Sequence, residues 1–323
     1  MSIGLERQIN KYVRLSGQYV ESRGVHLSNS RNINVPVNGI YPFGDAALRI
    51  LSESGGLSRT HQLFFSPNVN YKKMFLFGFY SYSHGKDNNE GSPADPNNLK
   101  AEWGPSTFAD VRHRFVLGTS VPLPLKISVS PFIVVSSGTP YNITTGQDTN
   151  LDGFTSERPL LDTSLSAAAC SGKTLVYESG FGCFNLSPTS GTQIGRNYGR
   201  GPASFTVNMR VSRTWSFGRK GESGQRDNNG PPPGMGGIRG GGGPPGGGPP
   251  PGMFGGATSG KKYNLTLTAS ARNLFNHANY ATPSGDLSSP FFGQYTSLAS
   301  GFGPMGGAST FNRKIDLQLR FQF

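Results

Sequence analysis

Long segments in which apolar and polar residues alternate constrain the fold of this chain more than any other feature. In the last eleven residues, RKIDLQLRFQF, every second side chain from Ile315 to Phe323 is apolar and those between are polar or charged. The segments YNLTLTASAR and SFTVNMRVSRTWSF follow the same pattern. Because successive side chains of a β-strand point to opposite faces, a period of two indicates strands. The sequence therefore predicts an all-β, antiparallel fold.

The length of these segments favours a membrane barrel over a soluble β-sandwich. They run for about 10 to 12 residues, whereas soluble strands typically have about 5 or 6. A tilted strand that crosses a bilayer needs about 9 to 11 residues. Aromatic residues also cluster near segment ends, as an interfacial girdle requires, at Tyr12, Tyr71, Tyr80, Tyr82, Trp215, Phe217, Tyr263 and Phe323. We expect the polar face, rich in Thr, Ser, Asn, Gln and Arg, to point inward.

Nine strands are predicted, a partial barrel with unequal loops. Short connections fall near residues 10–11, 71–73 and 122–125. With the C-terminus at the periplasmic end, the long polar connections lie outside; they span about 23–58, 84–109, 141–202 and 274–312. The predicted strands are about 2–9, 12–22, 59–70, 73–83, 111–121, 126–139, 203–217, 262–273 and 313–323.

The connection 218–261 is the exception, a long turn on the periplasmic side. Between Gly230 and Gly256 it is almost entirely Gly and Pro, a composition that cannot bury enough apolar surface to fold. We expect a disordered linker within the wall domain 1–323. A partner-binding tail or an RGG-like RNA-binding segment is the alternative, but one Arg-Gly pair supports it poorly.

The charge of the chain is compatible with two classes of partner. Its 30 basic and 18 acidic residues give a formal charge of +12, which fits nucleic acid or anionic lipid headgroups. The bases are scattered singly, so the charge is weak evidence for either partner; because the predicted fold is a membrane barrel, we expect outer-membrane lipid and no nucleic acid. The N-terminus lacks the apolar core of a secretory signal, and no apolar run is long enough for a transmembrane helix. The expectation is a fragment of a larger exported protein.

Two cysteines lie close together in the predicted loop 141–202. Cys170 and Cys183 are the only cysteines, and such a pair in one polar loop indicates a local disulfide formed in an oxidising compartment. Two free thiols in a cytosolic protein are the alternative.

The same loop contains QDTNLDGFTSERP, which begins like a calcium-binding loop. Asp148, Asn150 and Asp152 offer oxygen ligands at alternate positions, and Glu157 follows. An EF-hand would need a glutamate where Pro159 stands, so an EF-hand is excluded. A simpler structural calcium site and a hydrogen-bonded Asx turn remain as alternatives.

Catalytic motifs are absent from the sequence. The five histidines are dispersed, and no zinc-protease, serine-hydrolase or phosphate-loop pattern occurs. The sequence predicts that the chain is not an enzyme and binds no organic cofactor.

Four segments together resemble the last part of a TonB-dependent outer-membrane receptor of the Oar-like subgroup. They are DVRHRFVLGTSVPLP, SSGTPYNITTGQDTNLDGFTSERP, LTLTASARNLFNHANY and the terminal FNRKIDLQLRFQF. The resemblance implies a barrel of about 22 strands with a plug in its lumen, in the outer membrane of a Gram-negative cell. It also implies uptake of a bulky solute driven by the TonB complex. The terminal side chains Leu319, Phe321 and Phe323 resemble the signal read by the barrel-assembly machinery, although an ordinary lipid-facing strand could also end this way.

The chain departs from the receptor pattern in what it lacks. No plug, TonB box or signal peptide is recognisable, and only about nine strands are predicted. We therefore expect a receptor fragment whose plug, N-terminal strands and TonB contact lie elsewhere. A stand-alone structural or adhesive barrel and a soluble β-sandwich binding module are the alternatives.

Overall fold

A computed structural model of the chain describes residues 1–187, 192–220, 261–299 and 312–323. These residues contain fifteen β-strands and 3-10 turns at Leu99–Glu102 and Pro124–Lys126. In chain order the strands are β1 (Ser2–Asn10), β2 (Val13–Asn32), β3 (Ile50–Tyr71), β4 (Met74–Asp87), β5 (Gly104–Pro105), β6 (His113–Leu123), β7 (Ile127–Ser136), β8 (Pro140–Tyr141), β9 (Leu160–Asp162), β10 (Leu175–Glu178), β11 (Gly182–Asn185), β12 (Gly199–Arg200), β13 (Ser204–Lys220), β14 (Lys261–Arg272) and β15 (Lys314–Gln322).

The nine long strands form one antiparallel sheet, and this confirms the predicted fold class. Their order is β1-β2-β3-β4-β6-β7-β13-β14-β15, with β5 paired to β4. Each long strand therefore pairs with the next long strand along the chain. We call the end with the brief connections 11–12, 72–73 and 124–126 the short-turn end, and the opposite end the long-loop end.

One face of the sheet is apolar and exposed. Directly paired residues share a face, and the register joins Leu267 to Leu319, Leu265 to Phe321 and Leu63 to Tyr82. A continuous apolar band on a sheet surface is typical of the lipid-facing side of a barrel. Its exposed members include Leu63, Phe65, Tyr80, Tyr82, Phe115, Val135, Trp215, Leu267, Leu319 and Phe321.

The opposite, inner face is polar only in part, whereas the sequence predicts an inner face of Thr, Ser, Asn, Gln and Arg rather than a packed core. Asn208, Thr214 and Thr266 are buried polar side chains on β13 and β14, as expected. The middle of the wall instead carries an apolar cluster of Phe64, Phe77, Phe79, Val116, Phe132 and Val134. The segment KMFLFGFYSYS is apolar on both faces, so its alternation leaves the orientation open. The orientation of this strand is determined by its pairing with β6, which places Phe79 opposite Val116.

Strands β2 and β3 extend far beyond their predicted ends. Seven long strands end within four residues of the prediction, but β2 has 20 residues and β3 has 22. The predicted loop 23–58 is therefore wrong and shrinks to residues 33–49. In the added stretches the polar residues Ser, Asn, Arg and Glu occur on both faces, so no alternation marks them as strand.

Two further predicted loops have different outcomes. The loop 141–202 lies between β7 and β13 and contains the whole three-stranded sheet β10-β11-β9 and most of the pair β12-β8. Most of the predicted turn 218–261, namely residues 221–260, lies outside the residues that the structure describes. Its two ends, 218–220 and 261, belong to β13 and β14. No α-helix in the described part of the chain is long and apolar enough to span a bilayer.

Candidate functional site at the long-loop end

The long loops pack around an apolar core of their own. Buried Phe184 from β11 contacts Ile143, Leu186, Ile194 and Leu287 from separate segments of the loops. A disulfide joins Cys170 to Cys183, with a Cα–Cα distance of 5.6 Å. The two cysteines are 13 residues apart in the chain. Closing a loop of this size restricts the unfolded chain, which stabilises the folded state by about 3 kcal/mol in the loop-entropy account. The loops are therefore held by a core and a covalent link rather than by the barrel wall alone.

Buried ion pairs connect two of the long loops. The two terminal guanidinium nitrogens of Arg158, Nη1 and Nη2, donate to the carboxylate of Glu102, each at 2.9 Å, and both side chains are almost fully buried. Arg196 donates to Asp87 and lies 3.8 Å from Glu90. Each of these arginines belongs to the loop between β7 and β13, and each acid lies between the end of β4 and β6. The pairs therefore fix one loop against the other.

A third carboxylate, that of Asp110, collects several donors. Its oxygens accept from Arg200 at 2.5 Å, from Arg112 at 3.1 Å and from His84 at 2.9 Å. Burial alone would raise the pKa of Asp110, but the hydrogen bonds from Arg200, His84 and Arg112 outweigh it and hold that pKa below its ordinary value. Asp110 is therefore ionised at neutral pH and ties β4, β6 and the loop after β7 together.

The predicted calcium loop is an Asx turn in the structure. The Asn150 side-chain oxygen accepts from the Asp152 backbone at 2.9 Å, and the Asp152 carboxylate accepts from Phe154 at 2.8 Å. Asp148 accepts from the backbones of Asp152 and the following glycine. These bonds are those of the hydrogen-bonded turn that the sequence left as the alternative.

The acids of this turn are nevertheless crowded and short of positive charge. One oxygen of Glu157 accepts from the Thr149 backbone at 2.6 Å, while its second oxygen is buried with no hydrogen-bond partner in the described residues. The pKa of Asp152 is raised to about 6, chiefly by burial; the charges of Glu157 and Asp148 add to the rise, and the hydrogen bonds from Phe154 and Asn150 oppose it. Within the described residues, no three His, Cys, Asp or Glu side chains are placed to share one metal ion. Calcium binding stays a prediction.

A cavity of about 580 Å³ lies where these features meet. Tyr141 and Phe154 supply aromatic surface, and Asn142 and Asn197 supply amide groups. Burial raises the pKa of Tyr141, helped by the neighbouring Tyr295 and Glu178, so its hydroxyl is neutral and able to donate a hydrogen bond. The other lining residues are Glu90, Gly91, Ser92, Thr107, Thr139, Pro140, Thr144, Thr155, Ser156, Arg196 and Thr282. The charged members are paired to each other, so the cavity suits a polar, largely uncharged group.

Sequence reasoning located the turn and the cysteines but missed the ion pairs and the cavity. The arginines and acids of the ion pairs lie 56 to 109 residues apart in the chain. Nothing in a single sequence marks such a pair. The one available signal was that Arg158 and Arg196 stand in loops otherwise rich in Gly, Ser, Thr and Pro, and it does not identify a partner.

The wall and the loops together define an outer-membrane barrel. The chain belongs to the outer membrane beta barrel domain family, whose sequence profile matches residues 1–225. The described sheet is thus part of a transmembrane β-barrel, and the protein is located in the outer membrane.

The chain also has limited similarity to one solved structure. The outer membrane transporter YddB from Escherichia coli is 11% identical, with a TM-score of 0.46 over 99% of this chain and 32% of that one. The chain therefore spans about a third of the length of that transporter. No curated protein matches the sequence.

Proposed function

We propose that this chain forms part of the barrel wall of a TonB-dependent receptor, of the Oar-like subgroup, that takes up a bulky solute. The observation that carries the proposal is that the described sheet has two open edges, at β1 and at β15. Within the described residues, β1 and β15 each pair along one side only. Unpaired backbone groups are costly inside a bilayer, so both edges need partner strands. A barrel of about 22 strands around a plug would supply them.

In this proposal the long-loop end meets the solute first. The cavity beside Tyr141 and Phe154 presents aromatic, amide and hydroxyl groups, and such a lining binds polar solutes through hydrogen bonds and ring contacts. The ion pairs of Arg158 and Arg196 hold the loops before the solute arrives, which lowers the entropy cost of binding. The plug and its TonB contact, which drive release into the periplasm, lie outside this chain. The chain itself carries out no catalysis.

Cysteine cross-linking across the two edges tests whether the wall closes on itself. Leu5 lies on β1, and we would replace it with cysteine together with Ile315, Leu317 or Leu319 on β15, one at a time. In outer membranes from cells that make the full chain, we expect no β1–β15 disulfide at any of the three positions. A double replacement of Leu267 and Leu319, which are directly paired, is the positive control. Efficient β1–β15 cross-linking would overturn the proposal.

A stand-alone structural or adhesive barrel is the second candidate. It would need the β1 and β15 edges to meet, so cross-linking at the edge would favour it. A genomic observation separates the two independently. Plug-coding sequence directly upstream supports a receptor, and its absence together with edge cross-linking supports the stand-alone barrel.

A further inference from the structure

Charge is distributed unequally between the two ends of the wall. At the short-turn end, the described residues 10–12, 71–73, 123–126, 217–219 and 261–263 carry seven basic side chains and, among themselves, no Asp or Glu side chain; the basic residues are Lys11, Lys72, Lys73, Lys126, Arg219, Lys261 and Lys262. The described connections at the long-loop end carry eleven acidic residues against eight basic ones. They are Asp45, Glu90, Asp95, Glu102, Asp110, Asp148, Asp152, Glu157, Asp162, Glu178 and Asp286, against Arg49, Lys100, Arg112, Arg158, Lys173, Arg196, Arg200 and Arg313.

The seven cations, which we call the basic rim, are available to an external partner. All seven side chains are exposed. The ion pairs of the described residues involve other groups, including the arginines of the long-loop end. Seven like charges at one end repel one another, so counter-charge from outside the described wall would stabilise its folded state.

Aromatic rings hold several of these cations at a defined height on the wall. The Lys11 ammonium lies 5.0 Å from the Tyr12 ring centre, and Lys262 lies 5.3 Å from that of Tyr263. Lys72 makes the same contact with Tyr71 at 5.3 Å. Aromatic rings at the ends of barrel strands sit at the level of lipid headgroups. The cations beside them are therefore at the level of the headgroup phosphates.

Two of the rim lysines stand where the backbone disfavours them. Lys72 has φ of 52° and Lys126 has φ of 58°, in the left-handed region that glycine and asparagine adopt at lower cost. A lysine at such a turn is accounted for if its charge has a use.

We propose that the basic rim is a binding surface for anionic phospholipid headgroups in the leaflet at the short-turn end. A phosphodiester with net negative charge, as in phosphatidylglycerol, complements exposed ammonium groups, while a zwitterionic headgroup carries its own cation. One cation near an anionic lipid surface favours binding by about fivefold. The rim thereby fixes the depth and orientation of the wall in the membrane.

Quenching of Trp215 fluorescence tests this proposal. Trp215 lies on the exposed face near the rim, and Trp103 is the only other tryptophan, so Trp103→Phe leaves one reporter. The full chain is reconstituted in phosphatidylcholine vesicles, and quenching by brominated phosphatidylglycerol is compared with quenching by brominated phosphatidylcholine. We expect the anionic lipid to bind near Trp215 about fivefold better, and high salt to reduce that preference.

Three variants distinguish the rim from net charge. Lys126→Gln/Lys261→Gln/Lys262→Gln should lower the preference at least twofold, with Arg219 left in place, and the corresponding Lys→Arg variant should retain it. The matched control, Lys100→Gln/Lys173→Gln/Arg313→Gln at the long-loop end, removes the same charge and should leave the preference unchanged. If the first variant fails to fold by circular dichroism, Lys262→Gln alone is measured and should lower the preference in part.

Three results would overturn the proposal. The first is equal quenching by the two lipids in the parent chain, and the second is an equal loss in the matched control. The third is loss of the preference on adding inorganic phosphate at constant ionic strength, which would identify a site for free phosphate instead of a lipid headgroup.

Discussion

Single charged residues decide how the long loops are held. Arg158, Arg196 and Arg200 each reach a carboxylate on another part of the chain. An arginine presents several donors in a rigid plane and suits this bridging role better than a lysine would. Two of the three pairs are almost fully buried, so each partner depends on the other to offset the loss of water.

Breaking one of these pairs should loosen the loops. Glu102→Gln leaves the Arg158 guanidinium buried without its counter-charge, at a cost of about 3–5 kcal/mol. We expect faster proteolysis of loops 88–112 and 137–203 in the folded, membrane-inserted chain. The control is Glu6→Gln, which removes an exposed partner of Arg14 and should cost no more than about 1 kcal/mol. Equal proteolysis of Glu102→Gln and the parent chain would contradict the structural role of the pair.

The raised pKa of Asp152 predicts a pH-dependent turn. With a pKa of about 6 in the folded chain against 3.8 as the ordinary value, the folded state binds more protons between these values. The contribution of Asp152 to stability is therefore full below about pH 4 and decreases as the pH rises towards 6, by at most about 1.4 kcal/mol per pH unit. We expect the parent turn to be cleaved faster than that of Asp152→Asn at pH 7 and no faster at pH 4.

Comparing the two chains at the same pH removes the pH dependence of the protease itself. A difference that does not change between pH 4 and 7 would show that Asp152 does not titrate in this range. A second measurement adds calcium at pH 7. A bound cation would neutralise the charge of Asp152 and be coordinated by the unpartnered oxygen of Glu157. Protection of the parent turn by calcium, absent in Asp152→Asn, would support the predicted site, and unchanged cleavage would count against it.

At the scale of elements, the short-turn ends of β13, β14 and β15 share a stack of aromatic rings. Phe321 lies 6.0 Å from Tyr263 and 6.3 Å from Phe217 between ring centres, and 5.9 Å from Phe323. The terminal strand is thus joined to its neighbours by rings as well as by its hydrogen-bond ladder.

Deleting Phe323 tests the predicted assembly signal. We expect a several-fold lower yield of inserted chain, because an assembly machinery that reads the last aromatic residue would lose it. Insertion is measured by outer-membrane fractionation and a heat-dependent gel-mobility shift. Ile315→Ala, on the same face at the other end of β15, is the matched control and should insert normally. Normal insertion without Phe323 would show that Leu319, Phe321 and Phe323 act only as lipid-facing residues.

How well an element could be predicted depended on what surrounds its two faces. In β14 and β15 one face is apolar and exposed while the other is polar, so alternation gave the strands, their ends and their orientation. In β4 both faces meet apolar neighbours, so its inner phenylalanines were not assigned. In the outer halves of β2 and β3 apolar residues no longer alternate with polar ones, and those halves were missed.

At the scale of the whole molecule, contacts between distant segments were beyond prediction. The pairing of Arg196 with Asp87 and the cavity beside Tyr141 depend on how three loops meet. The inner apolar cluster likewise depends on the four strands β3, β4, β6 and β7 being adjacent in one register. One sequence gives the composition of each segment but not its neighbours.

The length of β2 and β3 determines how far this part of the protein extends from the membrane. Strand β3 has 22 residues, which at about 3.3 Å per residue is roughly 70 Å, while the apolar band of an outer-membrane barrel is about 25 Å tall. Even when tilted, this hairpin rises well above the bilayer, and its tip is tied to the other loops through Asn32 and the Asp152 carbonyl. Residues 37–40 and 42–49 at its tip are exposed. The tip of this hairpin is therefore accessible to a large particle, such as a phage or an antibody, that approaches the cell.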